Sequence, residues 1–230
     1  PGAPRTPAGA PRATAGTLHP SPRTGAPLHV DAADAPDDVL DLVRAGSPSG
    51  RLDGVVTTHR HADHLRALAP VVAPPGPSPA SAAPDADAVA AAPGEPGGRR
   101  LRHADVLRVG ALDFEVVALR GHTPGSVALA YREPDDVAEP EAVPARAHPL
   151  PGDPHFPGGG GNTDRDPARF ASRLSDGVGR VFDRFDDATW VYPGHGADTT
   201  LGAERPHLAA WRERGWERGS GSGRPVACGR

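Results

Sequence analysis

The chain has 230 residues, 37% of them hydrophobic, with 29 glycines, 29 prolines and a formal net charge of −4 at pH 7. That length allows one sizeable domain with tails, and the mildly acidic balance gives no signal of a nucleic-acid or membrane partner. Every basic residue is arginine, while lysine, isoleucine, methionine and glutamine are missing, which reads as codon bias in a GC-rich gene.

Residues 1–27 hold Pro, Ala, Gly, Arg and Thr without periodicity, and they are expected to be disordered or poorly ordered. Leu28-His29-Val30-Asp31 reads as a strand in which His29 is structural, with no convincing strand before it. Asp34 to Arg44 reads as a helix: Pro36 suits the first turn, Asp37 and Asp38 favour the positive end, and Val39, Leu40, Leu42 and Val43 make an apolar face. Leu52-Asp53-Gly54-Val55-Val56 is a short buried strand.

That strand runs directly into Thr57-Thr58-His59-Arg60-His61-Ala62-Asp63-His64. Three imidazoles and a carboxylate in one loop at a strand end place metal-binding donors on a rigid support. In extended backbone His59 and His61 point the same way, so they can grip one cation together. If the chain curls after Asp63, then Asp63 and His64 can address a second cation, and Leu65 to Ala69 is a plausible helical turn.

Val71-Val72-Ala73 reads as a short strand. Residues 74–100 read as a long variable excursion with one short helix near Asp85 to Ala91. Val106–Val109 and Leu112–Leu119 flank Gly110-Ala111 as a hairpin with a two-residue turn. Arg102-His103-Ala104-Asp105 echoes Arg60-His61-Ala62-Asp63 but lacks flanking histidines, so His103 is expected in an exposed loop. The hairpin leads to Gly121-His122-Thr123-Pro124-Gly125-Ser126, and Val127 to Tyr131 forms the next strand.

An acidic, Pro-rich loop at 132–146 precedes Gly152-Asp153-Pro154-His155-Phe156 and a glycine run at 158–161. His148 and His155 are read as surface or supporting residues. Asp166-Pro167 opens a helix to about Phe185, with Phe170, Leu174, Val178, Val181, Phe182 and Phe185 on its apolar side. Thr189 to Tyr192 is a strand delivering Pro193-Gly194-His195-Gly196, and Leu201 to Trp216 a final helix packed through Leu208 and Trp211. Residues 217–230 are a flexible tail, and its Cys228, the single cysteine, can form no internal disulfide. With no apolar run long enough for a membrane span or a signal-peptide core, the cytoplasm is the default expectation.

His-x-His-x-Asp-His after a hydrophobic strand, followed in order by the motifs around His122, Asp153 and His195, resembles the signature of the metallo-β-lactamase fold hydrolases. Within them Gly-Asp-x-x-Phe-x-Gly-Gly and Tyr-Pro-Gly-His-Gly resemble the glyoxalase II-like (hydroxyacylglutathione hydrolase-like) branch. The resemblance implies an α/β four-layer αβ/βα sandwich, two mixed sheets flanked by helices, over residues 28–216. It also implies two divalent cations, zinc first, with iron and manganese as alternatives. His59, His61 and His122 would hold one cation, Asp63, His64 and His195 the other, and Asp153 would bridge them. A hydroxide shared by the cations would cleave a thioester or related ester, with Asp63 orienting it. A persulfide dioxygenase-like enzyme with one iron, a lactonase, and an inactive metal-binding protein are the competing expectations.

Overall fold

The computed structural model describes residues 17–20, 27–46, 52–73, 76–91, 98–110, 112–132, 147–150, 152, 162–193 and 198–215. The first sheet has five strands in the order β1 (Thr17–Pro20), β2 (Pro27–Val30), β3 (Gly54–Thr57), β4 (Pro79–Ala82) and β5 (Arg99–Leu101). β1 and β2 are antiparallel, while β2, β3, β4 and β5 run parallel. The parallel crossovers carry α1 (Pro36–Gly46), α2 (Leu68–Val72) and α3 (Ala86–Ala91).

The second sheet is β6 (Val106–Val109), β7 (Leu112–Ala118), β8 (Val127–Arg132) and β9 (Ala147–Leu150), whose neighbouring strands pair antiparallel. Val109 faces Leu112 across the expected two-residue turn. The chain then forms α4 (Pro167–Gly177), which continues as a π-helical turn over Val178–Phe182, then β10 (Trp190–Val191), β11 (Thr199–Thr200), α5 (Leu201–Glu204) and α6 (Leu208–Arg214). Asp166 caps α4, its carboxylate accepting from the N–H groups of Ala168 and Arg169 at 2.8 and 3.1 Å, with Pro167 in the first turn.

Three apolar layers hold these elements. Between the sheets, Leu28, Val30, Val56 and Leu101 meet Phe114, Val116, Leu129 and Leu150. Behind the first sheet, Val55 packs with Val39 of α1, Leu68 and Val71 of α2 and Val89 of α3. Behind the second, Val117, Leu119 and Ala128 pack under Val181, Phe182, Phe185 and Trp211. Full burial of a leucine or phenylalanine side chain contributes roughly 1.5–3 kcal/mol. The alternation of β7, which sends Phe114 and Val116 inward and Val117 to the helix side, therefore binds both layers to one sheet.

Four expectations need correction. Strand β1 lies inside the segment read as disordered, pairing from Thr17 with Val30 to Pro20 with Pro27. Val71 and Val72 belong to helix α2, not to a strand. Pro70 occupies its first turn, where its missing N–H costs no helical bond, and Leu68, Val71 and Val72 share the buried side. The excursion at 74–100 contains β4 and β5, which complete the first sheet. Small Pro, Ala and Ser residues in β4 give no hydrophobic alternation, and Pro79 is tolerated because it begins the strand. The last helix is interrupted at Arg205–His207, a 3₁₀ turn containing Pro206, before α6 resumes.

Candidate metal centre

The site forms where β3 ends. Thr57, Thr58 and His59 are buried as the chain leaves the sheet. The Thr58 carbonyl accepts the Val127 N–H at 3.0 Å, tying this end of the first sheet to the start of β8. His61 begins a 3₁₀ turn over Ala62–His64 that carries Asp63 and His64. Gly121 and His122 follow β7, and Gly121 adopts φ +120. A Cβ there would stand 2.3 Å from the Arg169 carbonyl oxygen, so only glycine lets α4 close on this loop. Arg169 completes that closure: its Nε donates to the Gly121 carbonyl at 3.0 Å, and its guanidinium also reaches the His122 carbonyl and Asp164.

His59, His61 and His122 converge. One ring nitrogen from each lies within 4.8 Å of the others, and the ring centroids are 4.5–4.8 Å apart. His59 and His122 are buried, whereas His61 is accessible to solvent. Three nitrogens bound tetrahedrally at zinc distances lie about 3.3 Å from one another, and the His59 and His122 Nε2 atoms are 3.1 Å apart.

The hydrogen bonds around these rings determine their tautomers. Thr58 Oγ1 donates to Asp31 Oδ2 at 2.7 Å, so it can only accept from His59 Nδ1, 3.1 Å away. His122 Nδ1 is 2.8 Å from the Asn162 carbonyl, which can only accept. Each Nδ1 therefore carries its proton, which leaves Nε2 as the ring nitrogen whose unshared pair can bind a cation. A cation bound by both Nε2 atoms would use the two pairs at once. The donor set fits a metal ion on these grounds, and nitrogen donors of this kind accept zinc, iron or manganese.

Asp31 supports more than one of these groups. It ends β2 in the left-handed region, with φ +59, and is buried. Its carboxylate also accepts the Thr58 N–H at 2.7 Å and lies 2.8 Å from His64 Nδ1. His64 is buried beside His59, with ring centroids 4.0 Å apart. Asp63 follows on the 3₁₀ turn, outside the three-histidine group. Asp153, His155 and His195 lie outside the described residues, but Gly152 and Pro193 are described: Gly152 bridges Pro193 in parallel register, and a Cβ on Gly152 would stand 2.3 Å from Thr58 Oγ1.

Sequence reasoning passed over Asp31, Thr58, Asp85, Asn162 and Arg169. Asp31 did leave a signal, being a lone carboxylate at the end of a strand beside the one that delivers the histidines. Ser126 is a turn residue: its Oγ accepts the Thr123 N–H at 2.9 Å and lies 2.8 Å from Thr123 Oγ1. His103 is exposed, and His29 is buried in β2. His148 is ordered between two tyrosines, its ring stacked with Tyr131 and Tyr192 and its Nδ1 3.1 Å from the Tyr192 hydroxyl. No helix among the described residues is long and apolar enough to cross a membrane.

Comparison with known proteins agrees with this geometry. Hydroxyacylglutathione hydrolase from Jannaschia sp. (strain CCS1) is 32% identical over 114 residues, 50% of this chain but only 41% of that hydrolase's length. Among solved structures, ETHE1 from Myxococcus xanthus has a TM-score of 0.68 at 25% identity, over 90% of this chain and 83% of that one. TTHA1623 in a di-iron-bound form has a TM-score of 0.60 at 29% identity, over 88% of this chain and 96% of that one. Residues 24–195 match the family model itself. With its two-sheet sandwich and its histidine cluster at the sheet ends, the chain belongs to the metallo-beta-lactamase superfamily.

Proposed function

We propose that the protein is a metal-dependent hydrolase that cleaves a small thioester or related ester, with residues 28–216 as its catalytic domain. The observation that carries this reading is the convergence of His59, His61 and His122 with both buried rings held in the metal-binding tautomer. These three residues would hold one cation. Asp63, His64 and His195 would hold a second, with Asp153 between them. The pairing of Gly152 with Pro193 against Thr58 supports this, because it brings the chain just before Asp153 and just before His195 to the histidine loop. Bound there, divalent cations supply Lewis acidity, lowering the pKa of water toward neutrality and polarising an acyl oxygen.

The protein's own groups supply orientation and proton handling. Asp31 and Thr58 hold His59, and the Asn162 carbonyl holds His122, so neither ring can turn its protonated nitrogen to the site. Asp63 is assigned to orient the attacking water by accepting its hydrogen bond. Attack on the acyl carbon breaks the bond to sulfur or oxygen, and the leaving group departs as thiolate or alcohol. Ser126 is engaged within its own turn and is no nucleophile. The accessible His61 marks the side from which substrate approaches. Similarity to hydroxyacylglutathione hydrolase supports a thioester as the first substrate class.

A one-cation enzyme is the second reading, favoured by the fact that the three histidines are by themselves a sufficient donor set for one ion. Such a protein would be a persulfide dioxygenase-like enzyme, its single iron held by two histidines and an aspartate. Metal analysis of the purified protein, with a panel of thioesters, esters and lactones, tests the proposal. About two ions per chain and metal-dependent thioester hydrolysis are expected. One iron per chain with oxygen uptake on a persulfide, and no hydrolysis, overturns it in favour of the second reading.

A further inference from the structure

A buried carboxylate remote in sequence from every histidine joins the two loops that deliver them. Asp85 lies in the turn between β4 and α3 and is 1% exposed. Its Oδ2 accepts the Arg60 N–H at 3.2 Å and the Thr123 hydroxyl at 2.5 Å, and its Oδ1 accepts the Gly125 N–H at 3.0 Å. Arg60 separates His59 from His61, and Thr123 directly follows His122. One oxygen atom is therefore shared between the segment carrying two imidazoles and the segment carrying the third. Gly125 is shaped to this carboxylate, since a Cβ there would stand 2.6 Å from Asp85 Cγ. The Arg60 side chain adds only a loose electrostatic approach, its Nε 3.9 Å from Oδ1.

We infer that Asp85 is a positioning residue that sets the relative placement of His59, His61 and His122 and thereby the metal affinity of the site. The inference rests on the metal-binding reading above. A carboxylate is acceptor-only, and here it serves donors from both loops. Removing it leaves two backbone N–H groups and a hydroxyl without their partner, and each loop is then free to relax away from the other. Asparagine has nearly the same shape, but one of its terminal atoms is an N–H donor, so it cannot serve all three. Outer residues that orient metal ligands commonly change affinity by about 10–100-fold when altered.

The test is zinc affinity of the full chain, by competition with a chromophoric chelator, for wild type, Asp85→Asn, Thr123→Val and the remote core variant Trp211→Phe. Thermal midpoints are measured in chelator for all four, and cobalt(II) absorption is recorded as a probe of ligand geometry. Asp85→Asn is expected to raise the zinc Kd about 10–100-fold and to alter the cobalt spectrum. Thr123→Val, which removes one of the three donors, raises it several-fold. Trp211→Phe lowers the midpoint and leaves the Kd unchanged. A zinc Kd within twofold of wild type in Asp85→Asn, with a normal cobalt spectrum, overturns the inference while leaving the metal site standing. If Asp85→Asn does not fold, an unchanged Kd in Thr123→Val overturns it equally. Failure of the wild-type chain to bind zinc or cobalt overturns the inference and the metal-binding reading together.

Discussion

Replacing His29 with leucine probes how the fold responds to acid. His29 is fully enclosed in β2, on the face opposite Leu28 and Val30, and neither ring nitrogen makes a hydrogen bond of good geometry, the Asp31 backbone offering only a weak one. Burial pushes its pKa down from 6.5 to about 4, with nearby Asp31 opposing part of the shift. The unfolded chain therefore takes up a proton that the folded chain refuses. Its contribution is complete above pH 6.5, declines as pH falls toward 4, and does not decline further below that. The slope reaches about 1.4 kcal/mol per pH unit, and the whole loss is about 3 kcal/mol. His29→Leu should abolish this component. Near neutrality it should equal or exceed wild type by about 1–3 kcal/mol, because two buried, poorly partnered nitrogens are removed. Urea unfolding in chelator, at steps from about pH 7.5 to 4.5, supplies both profiles, and the other histidines cancel in the difference. Parallel stability–pH profiles for the two proteins would refute the reasoning.

Thr58→Val removes the hydroxyl between Asp31 and His59 and frees the His59 tautomer; zinc competition should show a Kd raised about 10–100-fold. Gly152→Ala forces a side chain onto backbone at φ +58 and into Thr58 Oγ1. Calorimetry should show a loss of roughly 2–4 kcal/mol, with reduced hydrolysis. Asp176 is buried and accepts from the Arg120 N–H at 2.9 Å and from its guanidinium at 2.8 Å, just before the Gly121-His122 loop. Asp176→Ala should cost about 1–3 kcal/mol in denaturant, mostly through the backbone bond, because the guanidinium is more than half exposed.

The histidine loop was legible because its physics is local. An apolar strand must end, and polar donors packed immediately after Val55-Val56 have to stand at the sheet edge. The hairpin before His122 was legible for the same reason, since Gly110-Ala111 separates two alternating runs. Strand β4 was not: Pro79, Ala80, Ser81 and Ala82 carry little hydrophobic signal, and they are strand residues because β3 and β5 pair with them on either side. Helix α2 was misread because Val71 and Val72 favour strands in isolation, whereas packing against α1 decides for the helix. Asp31 and Asp85 went unread because their roles come from partners 25 to 40 residues away. Nothing in the local sequence distinguishes Asp85 from a solvated aspartate, and the position of Asp31 at a strand end gains meaning only once β2 is known to lie beside β3.

His61 gives the most direct measurement of the central claim. It is the solvent-accessible member of the three-histidine group, so its removal should spare the core layers. His61→Ala is predicted to keep the wild-type circular dichroism spectrum, to lose bound metal, and to show no detectable thioester hydrolysis. A variant that retains wild-type metal content and hydrolyses thioesters at the wild-type rate would contradict the account.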